Sequence, residues 1–122
     1  MNKNMTVNIP LDMAGYYFLR MDIVLLESYL DADQRYLDMP GEFFLSYIRQ
    51  QFELFKTQGD TKLISRTGKH AGCDGIAFAF MGNHTLNKFP ITIIGNVDNK
   101  TVDAFGKIDE FIEQDNGRGN MY

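Results

Sequence analysis

The chain has 122 residues and a mass of 14.0 kDa, and its 44% hydrophobic and 23% charged residues exclude a disordered, collagenous or coiled-coil chain. Twelve Lys and Arg against sixteen Asp and Glu leave a formal net charge of -4, with the cations scattered, whereas a nucleic-acid binder clusters them to displace phosphate counterions. The single cysteine, Cys73, excludes an intramolecular disulfide framework.

The Met1-Asn2-Lys3-Asn4 start lacks the apolar stretch of a secretory signal, so a cytoplasmic location is expected. Asp12 is placed to cap a first helix, whose apolar residues run from Tyr16 to Leu30. Arg20, Asp22 and Glu27 interrupt that run and it is too short to span a bilayer, so it reads as a core helix with no membrane role. Arg20, Glu27 and Asp31 line its solvent edge.

In the connection that follows, Asp31, Asp33 and Glu42 stand at EF-hand positions one, three and twelve. Arg35 occupies a ligand position there and Tyr36 the place of the obligatory glycine, so these acids read as caps and solvating groups. Pro40 and Gly41 open a second helix with a stripe of Phe44, Tyr47 or Ile48, Phe52 and Phe55, and Gly59 is placed to end it in a left-handed cap.

From Thr61 the period changes to two, with strands expected at Thr61–Arg66, Gly75–Gly82, Phe89–Val97 and Thr101–Gly106. Short polar links between them imply antiparallel pairing. The expectation is one α+β domain over residues 1–114, an N-terminal helical hairpin packed on a four-stranded antiparallel β-meander. Residues 107–114 would add a helical turn or two, and 115–122 a flexible tail.

Within the second strand, Ile76, Phe78 and Phe80 alternate with Ala77, Ala79 and Met81, and the large face is expected to meet the helices. The small face, extended by Ile94 and Phe105, is the candidate interface for a homodimer or another protein. Tyr16, Tyr17, Arg20, Phe78, Phe80 and Asp103 are the candidates for lining a pocket between the first helix and the sheet. Asp103 is there the expected buried acid.

His70, Cys73 and Asp74, with Asp98 returned to the same end of the sheet, carry zinc-competent donor atoms. A glycine-rich turn satisfying its own backbone explains them without a metal. His84 belongs to the opposite end, about 25 Å away along a strand. A Cys73–His70 nucleophile pair lacks the helix N-terminus that would depress a thiol pKa. Gly68, Gly72 and Gly75 precede a strand rather than a helix, so no phosphate loop is read. Lys62, Arg66, Lys69 and His70 read as a solvated edge strand. No catalytic residue is assigned and no cofactor is implied.

Helices followed by a curved antiparallel sheet wrapped on a long apolar helix resemble, at the level of architecture, the cystatin-like group that includes the nuclear-transport-factor-2-like proteins. That resemblance implies a cone between helix and sheet able to hold a small apolar ligand, in a group of mostly dimeric binding modules with some isomerases and dehydratases. The stretch from Gly72-Cys73-Asp74-Gly75 to Phe80-Met81-Gly82-Asn83 is also similar to small bacterial proteins with a cysteine-bearing glycine loop before a hairpin, which implies no activity. The expected function is a small binding or protein-interaction module without catalytic signature, dimeric through a sheet face or edge. The alternatives are a ligand carrier or small enzyme with a pocket beside the first helix, and an acidic inhibitor-type protein acting through residues 31–42.

Overall fold

The computed structural model describes residues 9–31, 33–72, 75–96, 98 and 100–113. The expected tail, 115–122, lies outside them. The fold is α+β, with three helices on a curled antiparallel sheet.

The first helical run is two helices, α1 (Leu11–Leu19) and α2 (Ile23–Glu27). Pro10, rather than Asp12, precedes the first turn, and Leu11 N donates to Lys100 O at 2.9 Å, tying the helix start to the sheet. The break is a Schellman ending: Met21 takes a left-handed conformation (φ 55), its N–H donating to Phe18 O and that of Asp22 to Tyr17 O. Asp22 then caps α2, its Oδ1 accepting from Leu25 N at 3.2 Å. Met21 is buried, so core packing holds this turn where glycine is the usual occupant.

The link to the next helix contains a ribbon of β1 (Arg35–Tyr36) and β2 (Met39–Pro40), turned by Leu37 and Asp38, both left-handed at φ 52 and 64. Helix α3 (Gly41–Thr57) buries Phe44, Leu45, Ile48, Phe52 and Phe55. It ends as expected at a left-handed Gly59, φ 103, where Asp60 N donates to Phe55 O at 3.0 Å.

Four strands follow, β3 (Leu63–His70), β4 (Ile76–Gly82), β5 (Ile91–Gly95) and β6 (Val102–Lys107). The sheet has five strands rather than four. After a 3-10 turn at Ile108–Glu110, where a helical turn or two was expected, β7 (Phe111–Glu113) pairs with β3, giving the order β6-β5-β4-β3-β7. The chain thus passes from one edge of the sheet to the other in three residues, which only a curled sheet permits.

The curl is visible in side-chain contacts. In a flat sheet β3 and β6 would stand about 14 Å apart, yet a Cβ on Gly106 of β6 would lie 2.5 Å from His70 Nε2 of β3 and 2.7 Å from Thr92 Oγ1. On Gly68 it would lie 2.2 Å from Ile112 O. Both glycines leave room for the close approach that the curl requires.

The large residues of the sheet meet the helices. Phe18 of α1 stacks on Phe80 and Phe105 with ring centroids 5.1 and 6.2 Å away, and meets Phe52 and Phe89 edge-on at 5.8 and 5.9 Å. A second group joins Tyr36 and Phe44 to Phe105.

Phe18→Ala removes the ring that joins α1, α3 and the sheet and is expected to cost about 3–5 kcal/mol in urea unfolding. Gly106→Ala, which must displace His70 or Thr92, is expected to cost about 1–3 kcal/mol in the same assay.

Candidate functional site

Helix α1 lies across the sheet with Tyr17 and Phe18 buried and Tyr16 about half exposed. Beside it β3 turns polar toward the same face, presenting exposed Ser65, Thr67 and Lys69. What remains is a cleft of about 300 Å³ between α1 and the sheet, lined by Leu11, Asp12, Gly15, Tyr16, Leu19, Ser65, Phe78 and Phe80. It runs into a second hollow of about 420 Å³ bounded by Leu11, Asp12, Ile76, Phe78 and Lys100. Asp12 and Lys100, both exposed, stand at its rim.

Three of the six pocket candidates, Tyr16, Phe78 and Phe80, therefore come together on this cleft. Arg20 stands next to them, its guanidinium carbon 5.3 Å from the centre of the Tyr16 ring. Tyr17 points the other way, against Tyr29 with ring centroids 6.0 Å apart, and burial together with that neighbouring phenol pushes its pKa up. Asp103 is exposed and not part of the cleft, which corrects the expectation of a buried acid. At the register shift opposite Ile94 and Gly95, β6 accommodates one extra residue, so that Val102 and Phe105 both turn inward and Asp103 outward.

The small-residue face is not open. Ala77, Ala79 and Ile94 are buried inside the curl of their own sheet, and Phe105 lies in the aromatic core against Phe18 and Phe44. These four expected interface positions are covered within one chain.

Of the zinc-competent residues, Cys73 and Asp74 lie outside the described residues. His70 is nine-tenths buried, with Nε2 3.1 Å from Glu110 Oε1 and Nδ1 3.2 Å from Ala71 O. Asp98 Oδ1 accepts from Lys100 N at 3.0 Å, closing its own turn. Among the described residues no group of three or more His, Cys, Asp or Glu side chains is placed to hold a metal ion. The acids Asp31, Asp33, Asp38 and Glu42 are all exposed, with Arg35 among them.

Sequence reasoning did not single out Asp60, the only buried carboxylate among the described residues. Its Oδ1 accepts from His84 N and Thr85 N at 2.7 and 2.8 Å, and Oδ2 from the Thr85 hydroxyl at 2.9 Å. Asn83 supports the same junction, its Oδ1 accepting from Thr61 N at 3.0 Å. Burial alone would raise the Asp60 pKa, but the bonds from Thr85 and His84 outweigh it and hold the carboxyl below the ordinary range. The group is an anchor for the β4–β5 connection, with its acceptors already engaged. A polar residue directly after the Gly59 cap was the only signal for it.

Compared with known protein families, curated proteins and solved structures, the chain matches none. No helix in the described residues is long and apolar enough to cross a membrane.

Because the folded Asp60 carboxyl is more acidic than in the unfolded chain, its stabilisation is complete above the ordinary aspartate pKa of about 3.9 and is lost as pH falls through the lower folded value. Asp60→Asn is expected to lower stability at neutral pH by about 1–3 kcal/mol and to flatten that acid-side loss, both measured by urea unfolding across pH 2–7.

Proposed function

We propose that this chain is a binding module whose working surface is the cleft beside α1 together with the exposed apolar side chains of α1 and α2. The carrying observation is that an apolar cleft lined by Phe78, Phe80, Leu11 and Leu19 lies open to solvent and is continuous with half-exposed Tyr16. Arg20 over Tyr16 adds the residue types that dominate protein interfaces, a rigid aromatic with a polar tip beside a guanidinium. Met13 of α1, Val24 and Leu25 of α2, and Tyr29 just beyond α2 are also exposed. Together they favour an apolar stretch of a partner protein over a small molecule, which in an open cleft would stay largely in water.

The position between helix and sheet is also where the cystatin-like group, which this architecture resembles, holds apolar ligands. A small-ligand carrier is the second reading, favoured by the cleft volume of about 300 Å³, at the lower end of the range for small-molecule sites. The acid and the hydroxyl on the cleft, Asp12 and Ser65, are both exposed, and we assign them no reaction.

A photo-crosslinking amino acid in place of Tyr16 tests this in the source cells, with the same group in place of exposed Asp33 as control. Adducts specific to position 16 and lost on Leu19→Arg are the expected result. Adducts identical at both positions would sink the protein-partner reading. A small mass retained through native mass spectrometry and released by Phe78→Ala would move the conclusion to the carrier.

A further inference from the structure

The outer edge of β3 is only partly covered. Strand β7 pairs with Gly68, Lys69 and His70, and no strand among the described residues pairs with the outer side of residues 63–67. The ladder fixes which backbone groups that edge presents. Phe80 O accepts from Phe89 N at 2.8 Å and Gly82 N donates to Asn87 O at 3.0 Å, so these residues of β4 turn their backbone toward the β5 side. Ser65, level with Phe80, is therefore not bonded to β4, and by alternation the N–H and C=O of Ser65 and Thr67 both point outward. Both residues are exposed. Donors and acceptors alternating at the spacing of a strand are the complement of another extended backbone.

A hollow lies on each side of this edge. Ser65 borders the apolar cleft under α1 with Tyr16, Leu19, Phe78 and Phe80. Its neighbour Arg66, which the pleat turns to the opposite face, borders a hollow of about 120 Å³ with Met81, Lys88, Phe111 and Glu113. Arg66 pairs with Glu113 at 3.0 Å. Exposed Lys88 has no carboxylate partner among the described residues, so the charged groups of that hollow sum to a positive charge.

We infer that the partner of the cleft docks as an extended strand along residues 63–67, in line with β7, and that its apolar residues alternate with acidic ones. The inference rests on the cleft reading above and names the class of partner. Residues of the added strand level with Ser65 and Thr67 turn to the cleft side, toward Phe78 and Tyr16, where apolar side chains fit. The residue between them, level with Arg66, turns to the other face, where a carboxylate meets Arg66 and Lys88. A second copy pairing through the same edge would bring Lys62, Arg66 and Lys69 of both chains together, so charge disfavours that occupant.

Fluorescence polarisation of the full chain with a labelled synthetic peptide of about seven residues, alternating valine with glutamate, tests it. The expected result is saturable binding, weakened at least about tenfold by each of three changes: lysine for glutamate in the peptide, N-methylation of its edge-facing amides, and Ser65→Pro in the protein. Proline at position 65 removes an outward donor and leaves the bonds to β4 in place, and the methylated peptide carries the same test if that variant fails to fold. Lys88→Glu should reverse the preference between the glutamate and lysine peptides, and bound peptide should slow hydrogen exchange at the Ser65 and Thr67 amides. No binding of the glutamate peptide at about 1 mM overturns the proposal, even where crosslinks specific to position 16 uphold the cleft. Binding lost on Leu19→Arg yet indifferent to Ser65→Pro and to N-methylation overturns the strand pairing and keeps the cleft reading. Slow exchange at Ser65 and Thr67 before any peptide is added overturns it as well, since the edge is then filled by a second copy if dilution releases it, or by the chain's own residues after Glu113 if dilution does not.

Discussion

The ring of Phe18 holds this fold together. It is fully buried and meets side chains from α3, from β4, from the approach to β5 and from β6, so one side chain joins the helical layer to strands on either side of the sheet. Each such ring contact adds about 0.5–1.5 kcal/mol beyond the area it buries. Their convergence on α1 explains why that helix is tied down at both ends, by the Leu11–Lys100 backbone bond and by the turn at Met21. Around this point the sheet can curl only if its other face is thin, which Gly68, Ala77, Ala79 and Gly106 make possible.

The curl has a functional consequence. A sheet face of small residues would ordinarily be an open surface for another subunit, but here the passage from β6 through the 3-10 turn to β7 folds the sheet over it. Most of the exposed large apolar side chains among the described residues stand on the helices. Along α1 they accompany a cleft, because the polar outward residues of β3 leave Phe78 and Tyr16 without a covering layer. Along α3, Phe43 and Leu54 are exposed and Tyr47 borders a hollow with Leu37, Met39 and Pro90.

Buried polar groups follow the same division of labour. Asp60 has its hydrogen bonds filled by the backbone and the Thr85 hydroxyl of one loop, so it orders the β4–β5 connection rather than offering itself to a ligand. His70 sits where β3, β6 and the 3-10 turn converge, close to Glu110, so an imidazole that reads as a metal ligand in isolation belongs to the closure of the curl.

Local patterning by itself determined the α+β class, the limits of α3, the period-two strands and the meeting of large strand residues with helices. Each rests on a signal carried by neighbouring residues: a Pro-Gly start, a glycine at the left-handed cap, alternation along a strand. Tyr16, Phe78 and Phe80 share one cleft because they are large residues of a helix and a strand that face each other. The tertiary structure alone decided the rest. Met21 ends α1 in a conformation usually marked by glycine, because burial outweighs its backbone preference. Asp103 and Phe105 turn to opposite sides because one extra residue in β6 shifts the alternation, and no composition rule records such a shift. Ala77, Ala79 and Ile94 are hidden because the two edges of the sheet are neighbours in sequence through a three-residue turn, and the closure depends on contacts between β3 and β6 that lie more than thirty residues apart in the chain.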